Sequence, residues 1–233
     1  MSHPLLELQA AETMADQLTH RRQQLPEAEQ VQAARNELVR WEQSRQRIRQ
    51  RLDELEASIE QSENESHGID AHRADLEAKL KTVIAPREAE ALQTEIANLD
   101  ERRRGLDDVE LTAMEEQTHL EDELAVLLGQ EEALRGALLD ADSALSAAEA
   151  DIDGELTNIA GRLEGLRGNV DASLLSRYDR LRQHFVVAAA NLSGSRCEGC
   201  HLDLSAHEVD DVKDEIASAG VGNCPQCGRI LVR

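Results

Sequence analysis

Two long heptad repeats constrain the fold of this chain more than any other feature. The apolar residues of the first repeat fall on a single heptad frame: Val31, Ala34, Leu38, Trp41, Ile48, Leu52, Leu55, Ile59, Ile69, Leu76, Leu80 and Val83. The apolar residues of the second repeat are Leu92, Ile96, Leu99, Leu106, Leu120, Leu124, Leu127, Leu134, Leu138, Leu145 and Ile152. Apolar residues at alternating spacings of three and four are typical of a coiled-coil seam. The sequence therefore predicts two long helices, each with one apolar face.

The segment between the two repeats predicts where the chain reverses. Pro86 suits the first position of a helix, and Glu88 and Glu90 suit its positive end. The flanking segments, 4–81 and 86–167, are nearly equal in length, so we expect them to pair as an antiparallel hairpin over residues 1–168, with the turn near 82–87. A second candidate turn is 62–68, whose residues disfavour helix. Because the heptad frame continues across it, we interpret it as a kink.

Irregularities in the repeats predict that the hairpin is kinked. The frame slips at Pro26, where a helical hydrogen bond is lost, so we expect a kink or break there. After Ile152 the apolar series restarts at Leu156, a four-residue insertion that locally unwinds a supercoil. Glycines are further weak points of the second helix: Gly129, Gly136 and Gly154.

Composition and charge narrow the classes of function. One Trp, one Tyr and one Phe cannot fill a large globular core, whereas 31% charged residues is typical of coiled coils. Net charge is −22, distributed as −5 over 1–85, −15 over 86–168 and −2 over 169–233. The acidic second helix should repel phosphate, so any nucleic-acid surface must be local.

The N-terminus and the cysteines together predict a cytoplasmic protein. No run of 18 apolar residues occurs, and the first residues form neither a basic region nor a continuous hydrophobic stretch. We therefore expect a soluble protein without a membrane segment. In a reducing compartment its four cysteines would remain thiols that are free to bind metal.

Residues 169–233 predict a short helix and a small zinc-ribbon domain. Asp171 can cap a short amphipathic helix after a break at 169–171, and Phe185 to Leu192 resembles a strand. Ser205 and Glu208 match a capping box, which predicts a helix over 206–218.

The strongest local motif is a pair of C-x2-C turns. Cys197 and Cys200 form the first and Cys224 and Cys227 the second, separated by 23 residues, slightly more than a usual ribbon has. Two such turns supply four sulfurs in a tetrahedron, so the spacing predicts one structural Zn²⁺ ion with no open coordination position. Thioredoxin-type redox chemistry and an iron–sulfur centre remain alternatives, although no βαβ pattern surrounds either pair.

The remaining polar residues give little sign of catalysis. We interpret His201 and His207 as solvated neighbours of the metal site. No Ser/His/Asp set, P-loop or dinucleotide-binding glycine pattern occurs, so we expect a non-enzymatic protein. The arginines of the first helix, from Arg40 to Arg51, indicate a solvated face. A second group is either surface charge or a contact site for phosphate or an acidic partner: Arg177, Arg180, Arg182, Arg196, Arg229 and Arg233.

Three segments together resemble a known bacterial family. They are the opening Leu5-Leu-Glu-Leu-Gln9, the central Pro86-Arg-Glu-Ala-Glu-Ala-Leu-Gln93 and the ending Cys224-Pro-Gln-Cys-Gly-Arg-Ile-Leu231. In order and separation they are similar to the C4-type zinc-ribbon, coiled-coil family, formerly catalogued as a domain of unknown function, and to its actinobacterial branch. The chain departs from the family at Ala85, where members often have a polar residue before the turn.

The resemblance implies a long kinked helical hairpin with a C-terminal ribbon whose zinc ligands are Cys197, Cys200, Cys224 and Cys227. Members are described as predicted nucleic-acid-binding proteins or as chaperone-like partners of transcription and secretion machinery. Our first hypothesis is an adaptor or chaperone-like protein, monomeric or homodimeric, that binds protein partners through the hairpin. The alternative is a regulator that binds RNA or DNA weakly through the ribbon arginines.

Overall fold

The computed structural model describes residues 3–233 and is mainly α-helical. The helices are α1 (Pro4–Gln23), α2 (Pro26–Leu80), α3 (Pro86–Leu128), α4 (Glu131–Gly168), α5 (Ala172–Arg182) and α6 (Ala206–Ala219). The strands are β1 (Ala189–Ser193), β2 (Arg196–Cys197), β3 (Gly222–Asn223) and β4 (Ile230–Val232). Long helices forming hairpins and a small C-terminal strand region confirm the predicted class. No helix among residues 3–233 is long and apolar enough to cross a membrane.

The contacts divide the chain into two compact units. The hairpin unit is Val31–Ala141, and the ribbon unit joins Met1–Gln30 to Asp142–Arg233. The ribbon unit contains α1 and most of α4 because both helices pack with the C-terminal segment. That residues 1–168 and 169–233 form separate domains stays a prediction.

In the hairpin unit, α2 and α3 run antiparallel. The Trp41 indole N–H donates to the Leu127 carbonyl at 2.7 Å, and Arg51 pairs with Glu116 at 2.7 Å. Nearer the turn, Arg73 pairs with Asp100 at 2.9 Å. The buried residues along this unit belong mainly to the predicted seams: Val31, Trp41, Leu55, Ile69, Leu76 and Ala113.

The chain reverses between the end of α2 at Leu80 and the start of α3 at Pro86. Ala85 makes no side-chain capping bond because alanine has no polar side-chain group, and Pro86 occupies the first turn of α3. The second candidate turn, 62–68, lies inside α2, where Ser62 and Ser66 are buried.

Two of the predicted weak points interrupt helices. The chain leaves helical structure between Gln23 and Pro26, and again between Leu128 and Glu131, at Gly129. Gly136 and Gly154 lie within α4 without interrupting it. In the ribbon unit, the end of α1 packs on α4 through a buried cluster of Leu18, Leu25 and Ile152.

The ribbon sheet has the order β2-β1-β4-β3. Strands β1 and β4 are parallel, with Ala190 opposite Leu231, and the other neighbours are antiparallel. The predicted strand at 185–192 was placed too early, because β1 begins only at Ala189. Side chains bond to the backbone just before β1: Gln9 contacts Val186 and Ala188, and Arg229 contacts Val187. The Ala188 carbonyl also accepts from the Ile230 N–H of β4.

Candidate metal centre

Each C-x2-C pair forms a tight turn with the same hydrogen bond. The His201 N–H donates to the Cys197 carbonyl at 2.7 Å, and the Gly228 N–H donates to the Cys224 carbonyl at 2.8 Å. Both closing residues have positive φ, 61° at His201 and 74° at Gly228. Gly228 adopts this left-handed conformation, which glycine tolerates without strain, whereas in the first turn a histidine adopts it.

Gly199 is required for space rather than for its backbone angle. A Cβ atom there would lie 2.8 Å from Arg229 Cδ and 3.2 Å from Ala190 Cβ. Contacts this short would require the first turn, β1 or the Arg229 side chain to shift. Gly199 thus allows the first turn to pack closely against β1 and the second turn.

The four sulfurs have the separation that one Zn²⁺ ion needs. All four Sγ atoms lie within 4.8 Å of one another, and Cys200 Sγ and Cys224 Sγ are 3.9 Å apart. A tetrahedron with Zn–S bonds of about 2.3 Å has sulfurs about 3.8 Å apart. A disulfide would need about 2.05 Å, and all four cysteines are free thiols. The donor set and its spacing therefore fit a tetrahedral S4 site.

The site is partly enclosed by apolar residues. Cys197 and Cys224 are buried, and they pack with a cluster that includes Leu204, Val209 and Leu231. Burial raises the pKa of the Cys224 thiol to about 12 and also raises the pKa of Cys197. Thiolates in such a pocket need a neighbouring positive charge, and a bound cation supplies it.

Histidine takes no part in this cluster of sulfurs. Among the residues that the structure describes, the group able to hold an ion consists of the four cysteines. His201 is exposed, and His207 lies 3.4 Å from Asp211 within α6.

Helix α6 is an insertion between the two turns and is fixed at both ends. Ser205 and Glu208 form the predicted capping box, and Gly220 ends the helix with φ of 78°. Gln226, between the second pair of cysteines, donates to Glu208 at 2.8 Å. A capped helix therefore braces the second metal-binding turn.

Gln9 of α1 joins the helices of the ribbon unit to the sheet. Its side chain is 5% exposed, and its carbonyl oxygen accepts from Ala188 N–H at 2.6 Å and Ala189 N–H at 3.2 Å. Its amide nitrogen donates to the Val186 carbonyl at 3.1 Å. Sequence reasoning assigned Gln9 no contact; the only signal was its place in the opening segment that resembles the family.

Glu12, one turn further along α1, binds three side chains. It accepts from Tyr178 Oη at 2.8 Å, Arg182 Nε at 2.9 Å and Arg167 Nη1 at 3.0 Å. Tyr178 is fully buried, and burial together with the Glu12 hydrogen bond raises the pKa of its hydroxyl. Helix α1 thus contributes an apolar anchor for α5 through Leu5 and Leu8, and a polar anchor through Glu12.

The six candidate contact arginines divide into three groups. Arg182 pairs with Glu12 and Asp16, and Arg229 donates to Val187 and stacks on Phe185 at 4.4 Å. Arg177 is half-buried. Three others are exposed: Arg180, Arg196 and Arg233. Internal contacts therefore occupy two of the six guanidinium groups, which lowers the charge available to an external phosphate.

Comparison with known proteins yields matches over almost the whole chain. The CT398-like coiled coil hairpin domain matches residues 8–185, and the C4-type zinc ribbon domain matches residues 196–231. A relative described as uncharacterized protein Rv2229c of Mycobacterium tuberculosis is 29% identical over 98% of this chain and 94% of its own length. This mycobacterial relative agrees with the actinobacterial branch of the resemblance.

Solved structures show the same fold. A Mycobacterium smegmatis protein has a TM-score of 0.78 at 24% identity, covering 99% of this chain and 96% of its own. CT398 from Chlamydia trachomatis has a TM-score of 0.80 at 19% identity, covering 98% and 95%. HP0958 from Helicobacter pylori has a TM-score of 0.58 at 19% identity over the same shares. The chain belongs to the CT398-like coiled coil hairpin family and carries that family's arrangement of helices ahead of a C4-type zinc ribbon.

Proposed function

We propose that this protein is a non-enzymatic adaptor or chaperone-like protein of the cytoplasm that binds protein partners through its helical hairpin. The observation that carries the proposal is the exposure of large apolar side chains along α3 and α4. Val109, Leu111, Met114, Val126 and Leu139 are each between 49% and 68% exposed. Exposed apolar side chains along these two helices provide apolar surface that a partner would cover.

One structural Zn²⁺ ion per chain would hold the ribbon. Four thiolates leave no position for water or substrate, so the ion would contribute stability rather than Lewis-acid chemistry. A segment this small has little core of its own, and metal binding would offset the cost of folding it.

Affinity capture with the zinc-loaded full chain tests the adaptor role. We expect proteins that are retained after nuclease treatment and at 0.5 M salt, because apolar contacts are insensitive to screening. Loss of every retained protein upon nuclease treatment would contradict the proposal. Light scattering on the same preparation distinguishes a monomer from a homodimer.

Nucleic-acid binding through the ribbon is the alternative, supported by the three exposed arginines there. Any such binding should be weak and steeply salt-dependent, because the net charge of −22 opposes approach of phosphate. RNA titrations at low salt test it with Arg180→Glu, Arg196→Glu and Arg233→Glu combined. Unchanged RNA affinity in this triple variant would refute a ribbon contact.

A further inference from the structure

An apolar groove lies in the hairpin unit beside the end of α3. Its cavity is about 410 Å³, and its lining consists of Ile48, His119, Asp122, Glu123, Val126, Leu127 and Gln130. Val126 is 68% exposed although it sits among apolar neighbours. We call this surface the Val126 groove. Its volume falls in the range of roughly 300–1,000 Å³ that binding pockets have.

Leu127, one of the residues that line the groove, is held in place by Trp41. The indole N–H donates to the Leu127 carbonyl at 2.7 Å, at the point where α3 ends. Trp41 is itself buried, and the Arg45 guanidinium stacks on its ring at 4.9 Å. A lining residue that is already fixed in this way loses little conformational entropy when a ligand binds.

The α3 side of the groove lies within the most acidic stretch of the hairpin unit, whereas Ile48 on the α2 side lies between Arg47 and Arg49. Residues 105–134 contain ten carboxylates and neither Lys nor Arg. Arg51 and Arg103 from outside this stretch pair with Glu116 and Asp107. Asp122 at the rim is left for an external cation. The part of the stretch within α3, residues 105–128, extends over roughly 36 Å of helix at 1.5 Å per residue, which matches an elongated cationic ligand rather than a small molecule.

We propose that the Val126 groove binds a basic amphipathic helix of a partner protein. This proposal rests on the proposed adaptor function and specifies the chemistry of the partner. An apolar side chain of that helix fills the groove over Val126 and Ile48, and Lys or Arg residues flanking it meet Asp122 and Glu123. Helix-in-groove recognition uses this combination of anchors at helical spacing. A second copy of this chain fits less well, because two chains of net charge −22 repel each other.

A synthetic 18-residue Leu/Lys helix is the probe, with a scrambled peptide of the same composition that cannot form an amphipathic helix as its control. Calorimetry with the zinc-loaded full chain at 0.15 M salt measures both affinities. We expect the helical peptide to bind at least about tenfold more tightly, since only it aligns apolar anchors. Equal affinities would mean nonspecific charge attraction and would overturn the proposal.

Paired variants locate the site. Val126→Gln should weaken the helical peptide roughly tenfold, because it replaces the apolar contact at the mouth of the groove. Val39→Gln changes another exposed valine of the hairpin unit and should leave affinity within about twofold. Asp122→Asn with Glu123→Gln should weaken binding more than Asp210→Asn with Asp211→Asn, which removes the same charge from α6. Equal losses within either pair would overturn the assignment.

The failure of this inference is distinguishable from failure of the adaptor role. Partners captured equally by the wild-type chain and by Val126→Gln would leave an adaptor that uses another surface, and would overturn the groove assignment. A wild-type dimer that Val126→Gln dissociates would assign the groove to a second copy and would also overturn it. Support requires that Val126→Gln lose both the captured partner and the peptide.

Discussion

Replacing Gln9 with leucine should unfold the ribbon unit at lower denaturant, although the two side chains are similar in size. Leucine removes the acceptor of the Ala188 and Ala189 N–H groups, which lie 2.6 Å and 3.2 Å from the Gln9 oxygen. A buried donor left without a partner costs about 1–3 kcal/mol. The Val186 carbonyl keeps a contact from Arg182 and adds little. Two orphaned donors, partly offset by the added apolar packing, give an expected loss of about 2–4 kcal/mol.

Urea unfolding monitored by circular dichroism, with hydrogen exchange of the peptide covering 186–193, measures this loss. Gln17→Leu is the matched control, because Gln17 is an exposed glutamine of the same helix. The control should change stability by less than about 0.5 kcal/mol. If Gln9→Leu were as stable as Gln17→Leu, with unchanged exchange at Ala188 and Ala189, the anchoring role would be refuted.

Three further predictions concern the ribbon unit. Native mass spectrometry should detect one Zn²⁺ per chain. The Cys224→Ser substitution or chelation of the metal should abolish the NMR chemical-shift dispersion of residues 190–233, and dispersion that persists would contradict metal-dependent folding. Tyr178 is the only tyrosine, so absorbance at 295 nm monitors it alone. Burial raises the pKa of Tyr178 in the folded state, so the stability that its protonated hydroxyl contributes is fully present below about pH 10. Above about pH 10 this contribution falls by about 1.4 kcal/mol per pH unit. Ionisation of Tyr178 near pH 10 without unfolding would contradict its burial. Ser205→Ala should cost about 1 kcal/mol in thermal unfolding, and Ser218→Ala, at the other end of α6, less.

Local sequence patterns were sufficient to predict the helices and the reversal between them because their causes are local. Heptad spacing and Pro86 predicted long helices and a reversal, which the structure has between Leu80 and Pro86. The cap residues Asp171 and Ser205 predicted the starts of α5 and α6. Each depends on hydrogen bonds or apolar positions within a few residues, so neighbouring sequence is enough to specify it. Cysteine spacing likewise predicted the grouping of the four sulfurs.

The contacts that anchor the ribbon could be decided only by the tertiary structure. Gln9 lies 179 residues from Ala188, and Glu12 lies 170 residues from Arg182, so no local pattern pairs them. The same contacts help to delay the start of the predicted strand, since the Gln9 side chain bonds to backbone groups of Val186 and Ala188 ahead of Ala189. The Glu12 contact also makes Arg182 an internal residue, although the sequence offered it as a candidate contact arginine. A hydrogen bond between residues distant in sequence depends on how helices and sheet are placed in space, which the periodicity of each element alone does not specify.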